Sequence, residues 1–138
     1  MFNIMKQKLK GVKVEEIERA YTYSLAWFFA NPRIKTGLTE LSRYIKSSKT
    51  ATKQAVERLI EQGFLIREIA GRAWILIINH NNYHFITKKI SYHLDKIYES
   101  GIVEAVHKIL PQARAIILFG SYRRGDDNEE SDIDIAVE

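Results

Sequence analysis

From Val14 to Ala30 the apolar residues Ile17, Ala20, Tyr21, Leu25 and Phe28 recur at three- and four-residue steps. That spacing marks one face of an α-helix, and Asn31-Pro32 ends it. Tyr23, Trp27 and Phe29 fall partly outside this face, which predicts a helix covered on two sides. Core packing explains them most simply; a homodimer interface, where aromatic residues are enriched, is the sharper alternative. A second, short helix is predicted from Thr39 as N-cap, through Glu40 in its first turn, to about Lys46, with Leu41, Tyr44 and Ile45 facing inward. Ser47, Ser48 and Lys49 make a turn, and a third helix follows over about 50–62, with Ala51, Ala55, Val56, Leu59 and Ile60 as its buried stripe. Gly63 is its C-cap. Phe64 to Ile69 and Ala73 to Ile78 are β-branched and aromatic runs around a short loop, Ala70-Gly71-Arg72, the pattern of a hairpin.

The order helix, helix, turn, helix, two-stranded hairpin resembles the winged helix-turn-helix family over residues 14–79, and the stretch TELSRYIKSSKTATKQAVERLIEQGFLIRE carries the resemblance. It implies a double-stranded DNA partner and, among transcription regulators, a recognition helix in the major groove. If the third helix buries Val56, Leu59 and Ile60, then Lys49, Thr50, Lys53, Gln54, Glu57 and Arg58 lie on its exposed side. Gln54 suits an adenine edge and Lys53 a guanine or phosphate, and Arg67 and Arg72 on the wing reach adjacent backbone or minor groove. Winged helices also serve as protein-interaction modules, in which case these charges only solubilise.

Beyond the hairpin, the polar stretch Asn79 to His84 reads as a linker. Phe85, Ile86, Ile90, Leu94, Ile97 and Tyr98 describe an amphipathic helix to about Ser100, broken by Gly101, and Ile102 to Leu110 a last short helix ended by Pro111. Ala115 to Phe119 is a continuous apolar run of strand length, the pattern of a buried strand. His80 and His84, four apart in asparagine-rich surroundings without a third ligand, are read as surface residues, and His93 and His107 receive no role.

Composition narrows the partners. The 138 residues contain no cysteine, which excludes disulfides and thiolate chemistry and makes a cytoplasmic setting the default. No apolar run approaches the ~20 residues of a membrane span, and Met1 to Lys13 lacks the apolar core of a secretory signal. The net charge of +4 divides unevenly. Residues 1–100 carry 17 Lys or Arg against 9 Asp or Glu, whereas residues 101–138 carry 4 against 8. A basic front suits a polyanion, and a carboxylate-rich tail needs solvent or cations. Within residues 31–72 the balance is 9 basic to 4 acidic, which favours nucleic acid over a protein partner.

The candidate chemistry lies in the tail, GSYRRGDDNEESDIDIAVE. A strand running straight into Gly120-Ser121 presents backbone N–H groups and a hydroxyl where phosphates bind, and glycine leaves room for their close approach. Asp132 and Asp134 alternate with Ile133 and Ile135, so in a strand both carboxylates point to one face about 7 Å apart. Paired hard oxygen donors suit Mg²⁺, which typically joins one or two carboxylates to substrate phosphates. The acidic cluster Asp126, Asp127, Glu129 and Glu130 is most simply a solvated loop.

This segment resembles the minimal nucleotidyltransferases of the DNA polymerase β-like superfamily over residues 102–138. Gly120, Ser121, Arg124 and Gly125 match its GSxxRG turn, and Ser131, Asp132 and Asp134 its SDID strand. Arg123 departs from the pattern, standing where the family usually has alanine. The resemblance implies phosphate binding by Gly120, Ser121 and Arg124, Mg²⁺ held by the catalytic pair Asp132 and Asp134, and a nucleoside triphosphate as substrate. It implies attack of an acceptor hydroxyl on the α-phosphate, the acceptor being a protein partner in antitoxin-like members. It also implies a third carboxylate from a later strand, which these residues do not contain, so whether this chain is an enzyme stays open.

The expected fold is therefore α+β: a winged-helix domain over residues 1–83, a linker helix over 84–100, and a partial nucleotidyltransferase α/β fold over 101–138. Thirty-eight residues cannot bury both apolar strands alone, which predicts a fragment of a longer protein, or cover by a symmetry mate or by the winged-helix portion. Two functions remain: a DNA-binding nucleotidyltransferase, or a winged-helix transcription regulator whose tail is inactive or only senses nucleotides.

Overall fold

The computed structural model describes residues 12–138; the reading of the N-terminal stretch as no secretory signal falls largely on residues outside these. The elements are α1 (Val14–Ala30), α2 (Leu38–Tyr44), α3 (Lys49–Glu61), β1 (Leu65–Ala70), β2 (Ala73–Ile78), α4 (Tyr83–Glu99), α5 (Ile102–Ile109), β3 (Ile116–Phe119), α6 (Gly120–Arg124) and β4 (Asp134–Val137). The chain divides into two compact units that meet between Asn82 and Tyr83, so α4 groups with the second unit.

In the first unit α1 lies across α3, and Phe28, Leu41, Val56, Leu59 and Leu76 are fully buried. Ser48 starts α3, its Oγ accepting the Ala51 N–H at 3.1 Å, the N-cap arrangement that satisfies one otherwise orphaned donor. The second helix begins two residues earlier than its sequence suggests: Gly37, not Thr39, is the N-cap. At the far end of α3, Gly63 turns left-handed and Phe64 N–H donates to the Leu59 carbonyl at 2.9 Å. The hairpin pairs Leu65 with Ile78 through Ala70 with Ala73, leaving Gly71 and Arg72 as its two-residue loop, with Gly71 at φ +62°. Thr36 bridges to Leu76 and so adds a third short rung to β2.

Two expectations for this unit are corrected. Tyr44 points outward, 57% exposed, because its ring stacks on Trp27 at 5.2 Å instead of entering the core. Phe29 is buried while Tyr23 is exposed, so core packing accounts for the former and not for the latter. The asparagine stretch expected as a linker holds the boundary of the two units, and its first part is tied down. Asn79 and Asn82 side-chain amides donate to the Gly63 carbonyl at 3.0 and 2.9 Å, giving partners to the end of α3, where carbonyls lack intrahelical donors.

In the second unit α4 packs on α5 and α6, and β3 pairs antiparallel with β4, Ile116 opposite Val137 through Phe119 opposite Asp134. The helix face that α4 buries is Phe85, Lys89 and His93, with Ile86 and Ile90 half-buried beside it; Leu94 and Tyr98, expected inside, are exposed. Strand β3 is not a buried strand. Its residues alternate, with Ile117 and Phe119 about half exposed, since a two-stranded sheet covers one face only. No helix among the described residues is long and apolar enough to cross a membrane.

Candidate functional site

The bend between β3 and α6 forms the centre of the second unit's chemistry. Because Phe119 pairs with Asp134, the Asp134 side chain rises beside the next residue, Gly120. A Cβ on Gly120 would collide with the Asp134 carboxylate, whose Cγ lies 3.2 Å from that position, and Gly120 has φ +77°. Both the backbone conformation and the space therefore require glycine here. Asp134 opens β4 and is half-buried, whereas Asp132 precedes the paired strand and is exposed. The alternation expected of an Asp-Ile-Asp strand thus begins only at its second carboxylate.

Ser121 is half-buried in α6, and Gly125 N–H donates to its carbonyl at 2.9 Å. Arg124 is exposed and its Nε lies 3.2 Å from Asp126 Oδ2. Such solvent-facing pairs are worth little, so Asp126 holds Arg124 only weakly. Arg123 is exposed as well. Among the described residues no three His, Cys, Asp or Glu side chains gather as a metal-ligand set. Asp134 is the hard oxygen donor at the bend, of the type that Mg²⁺ takes.

Directly behind this bend lies a buried ionic cluster that sequence reasoning missed. Asp127 is 8% exposed, not a member of a solvated loop. Its Oδ1 lies 3.1 Å from Lys89 Nζ, which also donates to the Asp127 carbonyl at 2.8 Å. Its Oδ2 lies 3.5 Å from His93 Nε2. His93 Nδ1 is 2.8 Å from the Tyr122 carbonyl, and its ring stacks on Tyr122 at 3.7 Å. Burial holds the His93 pKa below its ordinary value and Lys89 adds to that, while the Tyr122 carbonyl and Asp127 oppose it. Burial likewise raises the Tyr122 phenol, with Asp127 adding to the effect. The available signal was spacing: Phe85, Lys89 and His93 stand four apart, which places them on one helix face.

Residues 99–138 match the family model of the nucleotidyltransferase domain. The matched span holds Gly120, Ser121, Arg124, Asp132 and Asp134, together with Asp127; Lys89 and His93 lie before it. The nucleotidyltransferase part of the sequence reading thus has independent support, and nucleotide transfer in general is the chemistry it supports. No curated protein and no solved structure matches the chain.

In the first unit, basic residues gather around Trp74 on β2. Lys53 Nζ stands 5.2 Å and Arg67 Cζ 4.4 Å from its ring centre. A cleft of about 480 Å³ beside it is lined by Lys49, Lys53 and Arg72 as well as Thr39, Glu40 and Trp74. Thr50 is exposed and Gln54 half-buried on α3. Arg58 is placed differently: its Nη1 pairs with Glu18 Oε1 at 2.7 Å and its guanidinium lies 4.0 Å from the centre of the Tyr21 ring, against α1. His80 and His84 are exposed.

Proposed function

We propose that the chain joins a DNA-binding winged helix to a nucleotidyltransferase-type site that takes a nucleoside triphosphate with Mg²⁺. The observation that carries the second half is the Asp134 carboxylate set against Gly120, at a bend where a side chain would be strained and would meet that carboxylate. Gly120 and Ser121 would hold the terminal phosphates through backbone N–H groups and the Ser121 hydroxyl. Arg124 would leave Asp126 to neutralise phosphate charge, and Asp134 and Asp132 would hold the cation. Bound there, Mg²⁺ would supply charge neutralisation and orientation of the triphosphate. The acceptor hydroxyl, on a protein in this reading, would attack the α-phosphorus with pyrophosphate as leaving group.

The DNA half rests on the order of α1 to β2, on Ser48 and Gly63 bounding α3, and on the Lys53, Trp74, Arg67 cluster. Cations held on an indole face beside Lys49 and Arg72 present positive charge over a flat apolar surface, which suits phosphate and sugar together. A regulator whose tail senses nucleotides without transferring them is the alternative. Mixing the chain with duplex DNA and with Mg·ATP or Mg·CTP, and following [α-³²P] label on added or endogenous protein, separates the two. Label transfer that disappears in Asp134→Asn supports the transferase; Mg-nucleotide binding without transfer supports the sensor; absence of both sinks the site.

A further inference from the structure

We propose that His93 is a positioning residue that fixes the backbone of the Gly120–Arg124 turn against α4, anchored by the buried Lys89–Asp127 pair. The turn is only five residues long, so its last carbonyls find no i+4 N–H within it. Gly125 N–H takes the Ser121 carbonyl. The next carbonyl, on Tyr122, is the one His93 Nδ1 reaches at 2.8 Å. A carbonyl only accepts, so Nδ1 carries the proton and Nε2 faces Asp127. Stacking of the two rings at 3.7 Å and 12° holds the imidazole in register with the carbonyl.

The grip has three points on one face of α4. Lys89 takes the side chain and carbonyl of Asp127, and His93 takes Tyr122. Between them Ile86 and Ile90 close on Gly125, where a Cβ would lie 2.9 Å from Ile90 Cγ1 and 3.2 Å from Ile86 Cγ2. Residues 122 to 127 are therefore clasped immediately after Gly120 and Ser121. The groups facing His93 are Lys89 and Tyr92 on α4, Tyr122 on α6 and Asp127 in the loop after it. Protonating His93 adds an Nε2–H toward Asp127 Oδ2, the carboxylate oxygen opposite the one that Lys89 meets, and leaves a net positive charge in a buried cluster. The turn therefore senses acidification through His93. Its consequence for nucleotide binding rests on the reading of the turn given above; the clasp itself does not.

The Gly125 amide reports the turn directly. In the full chain labelled with ¹⁵N, His93→Phe keeps a ring to stack but loses the donor, and Gly125 hydrogen exchange should quicken roughly tenfold, the worth of about one hydrogen bond. His93→Asn returns a donor near the Nδ1 position, and exchange should fall back toward wild type. Between pH 7.5 and 5 the Ser121 to Gly125 resonances should titrate with the His93 ring in wild type and stay flat in both variants. Unchanged Gly125 exchange in His93→Phe, no recovery in His93→Asn, or a turn that ignores the His93 titration would each overturn the proposal. If His93→Phe does not fold, the wild-type titration and His93→Asn decide. A parallel Mg·ATP titration keeps the two ideas apart: wild type that binds no Mg·ATP sinks the nucleotide reading, while the Gly125 amide still judges His93.

Discussion

The first unit buries Phe28 on α1, Leu41 on α2, Val56 and Leu59 on α3 and Leu76 on β2, and its basic residues stand outside around Trp74. In the second unit, the deeply buried side chains among the described residues are Phe85, Lys89, His93 and Asp127, while Ile117, Phe119, Ile133 and Tyr98 stand in solvent. One unit spends its apolar residues on a core and its charges on a surface. The other inverts the pattern, and the inversion lies behind the glycine bend that carries the candidate chemistry. Burying ions costs more than burying hydrocarbon and tolerates loss of a partner badly, so such a cluster defines one backbone arrangement more than it adds stability.

The sharpest way to break this comparison is to damage each interior in turn. Lys89→Met leaves the Asp127 carboxylate buried without its ammonium and should destabilise the second unit by about 3–5 kcal/mol, read from amide exchange of β3 and β4. Adding Asp127→Leu should recover most of that loss, because two apolar groups replace a complete pair. Phe28→Ala should cost the first unit about 3–5 kcal/mol through its cavity. Both tryptophans, Trp27 and Trp74, lie in the first unit, so their fluorescence should follow Phe28→Ala and ignore Lys89→Met. If the Lys89 variant shifts the tryptophan transition equally, the two interiors are not separate.

Duplex binding sharpens the surface half. Lys53→Gln and Arg67→Gln should each lower the slope of log K against log salt by about 1 if they meet phosphates. Arg58→Gln should leave it unchanged, since Arg58 is committed to Glu18 and Tyr21. A smaller effect comes from pH. The folded His93 pKa is lowered by burial, so the unfolded chain binds this proton more readily than the native one. Stability is then unaffected above the ordinary value near 6.5. It falls as pH drops below that value, and levels off under the folded pKa. Hydrogen exchange of the second unit at pH 7.5 and 5.5 should show the loss in wild type and less of it in His93→Asn; the opposite trend would contradict the burial account.

Legibility in the sequence followed the same division. The periodic apolar positions of α1 and α3, the Ser-Ser turn and Gly63 are local signals, and the helices and hairpin lie close to where these signals place them. What escaped was tertiary: Tyr44 left the core because Trp27 offered a stacking face. In the tail the glycine bend and Asp134 were legible, since a strand register brings them together over few residues. Asp127 was not. It sits among Asp126, Glu129 and Glu130 with nothing local to distinguish it, and only Lys89, 38 positions earlier, reveals its burial. Nor does Lys89 stand out on the apolar face of α4, because hydropathy cannot show an ionic partner that arrives from elsewhere in the fold.

Calorimetric titration of the full chain with ATP, with Mg²⁺ and with the ion chelated, tests the role of the carboxylate beside the glycine bend most directly. Wild type should bind ATP in a Mg²⁺-dependent manner, and Asp134→Asn should weaken that binding at least roughly tenfold, the loss expected of a charged ligand contact, while duplex affinity stays unchanged. Equal ATP binding with and without Mg²⁺, or an Asp134→Asn variant that binds Mg·ATP as wild type does, would contradict it.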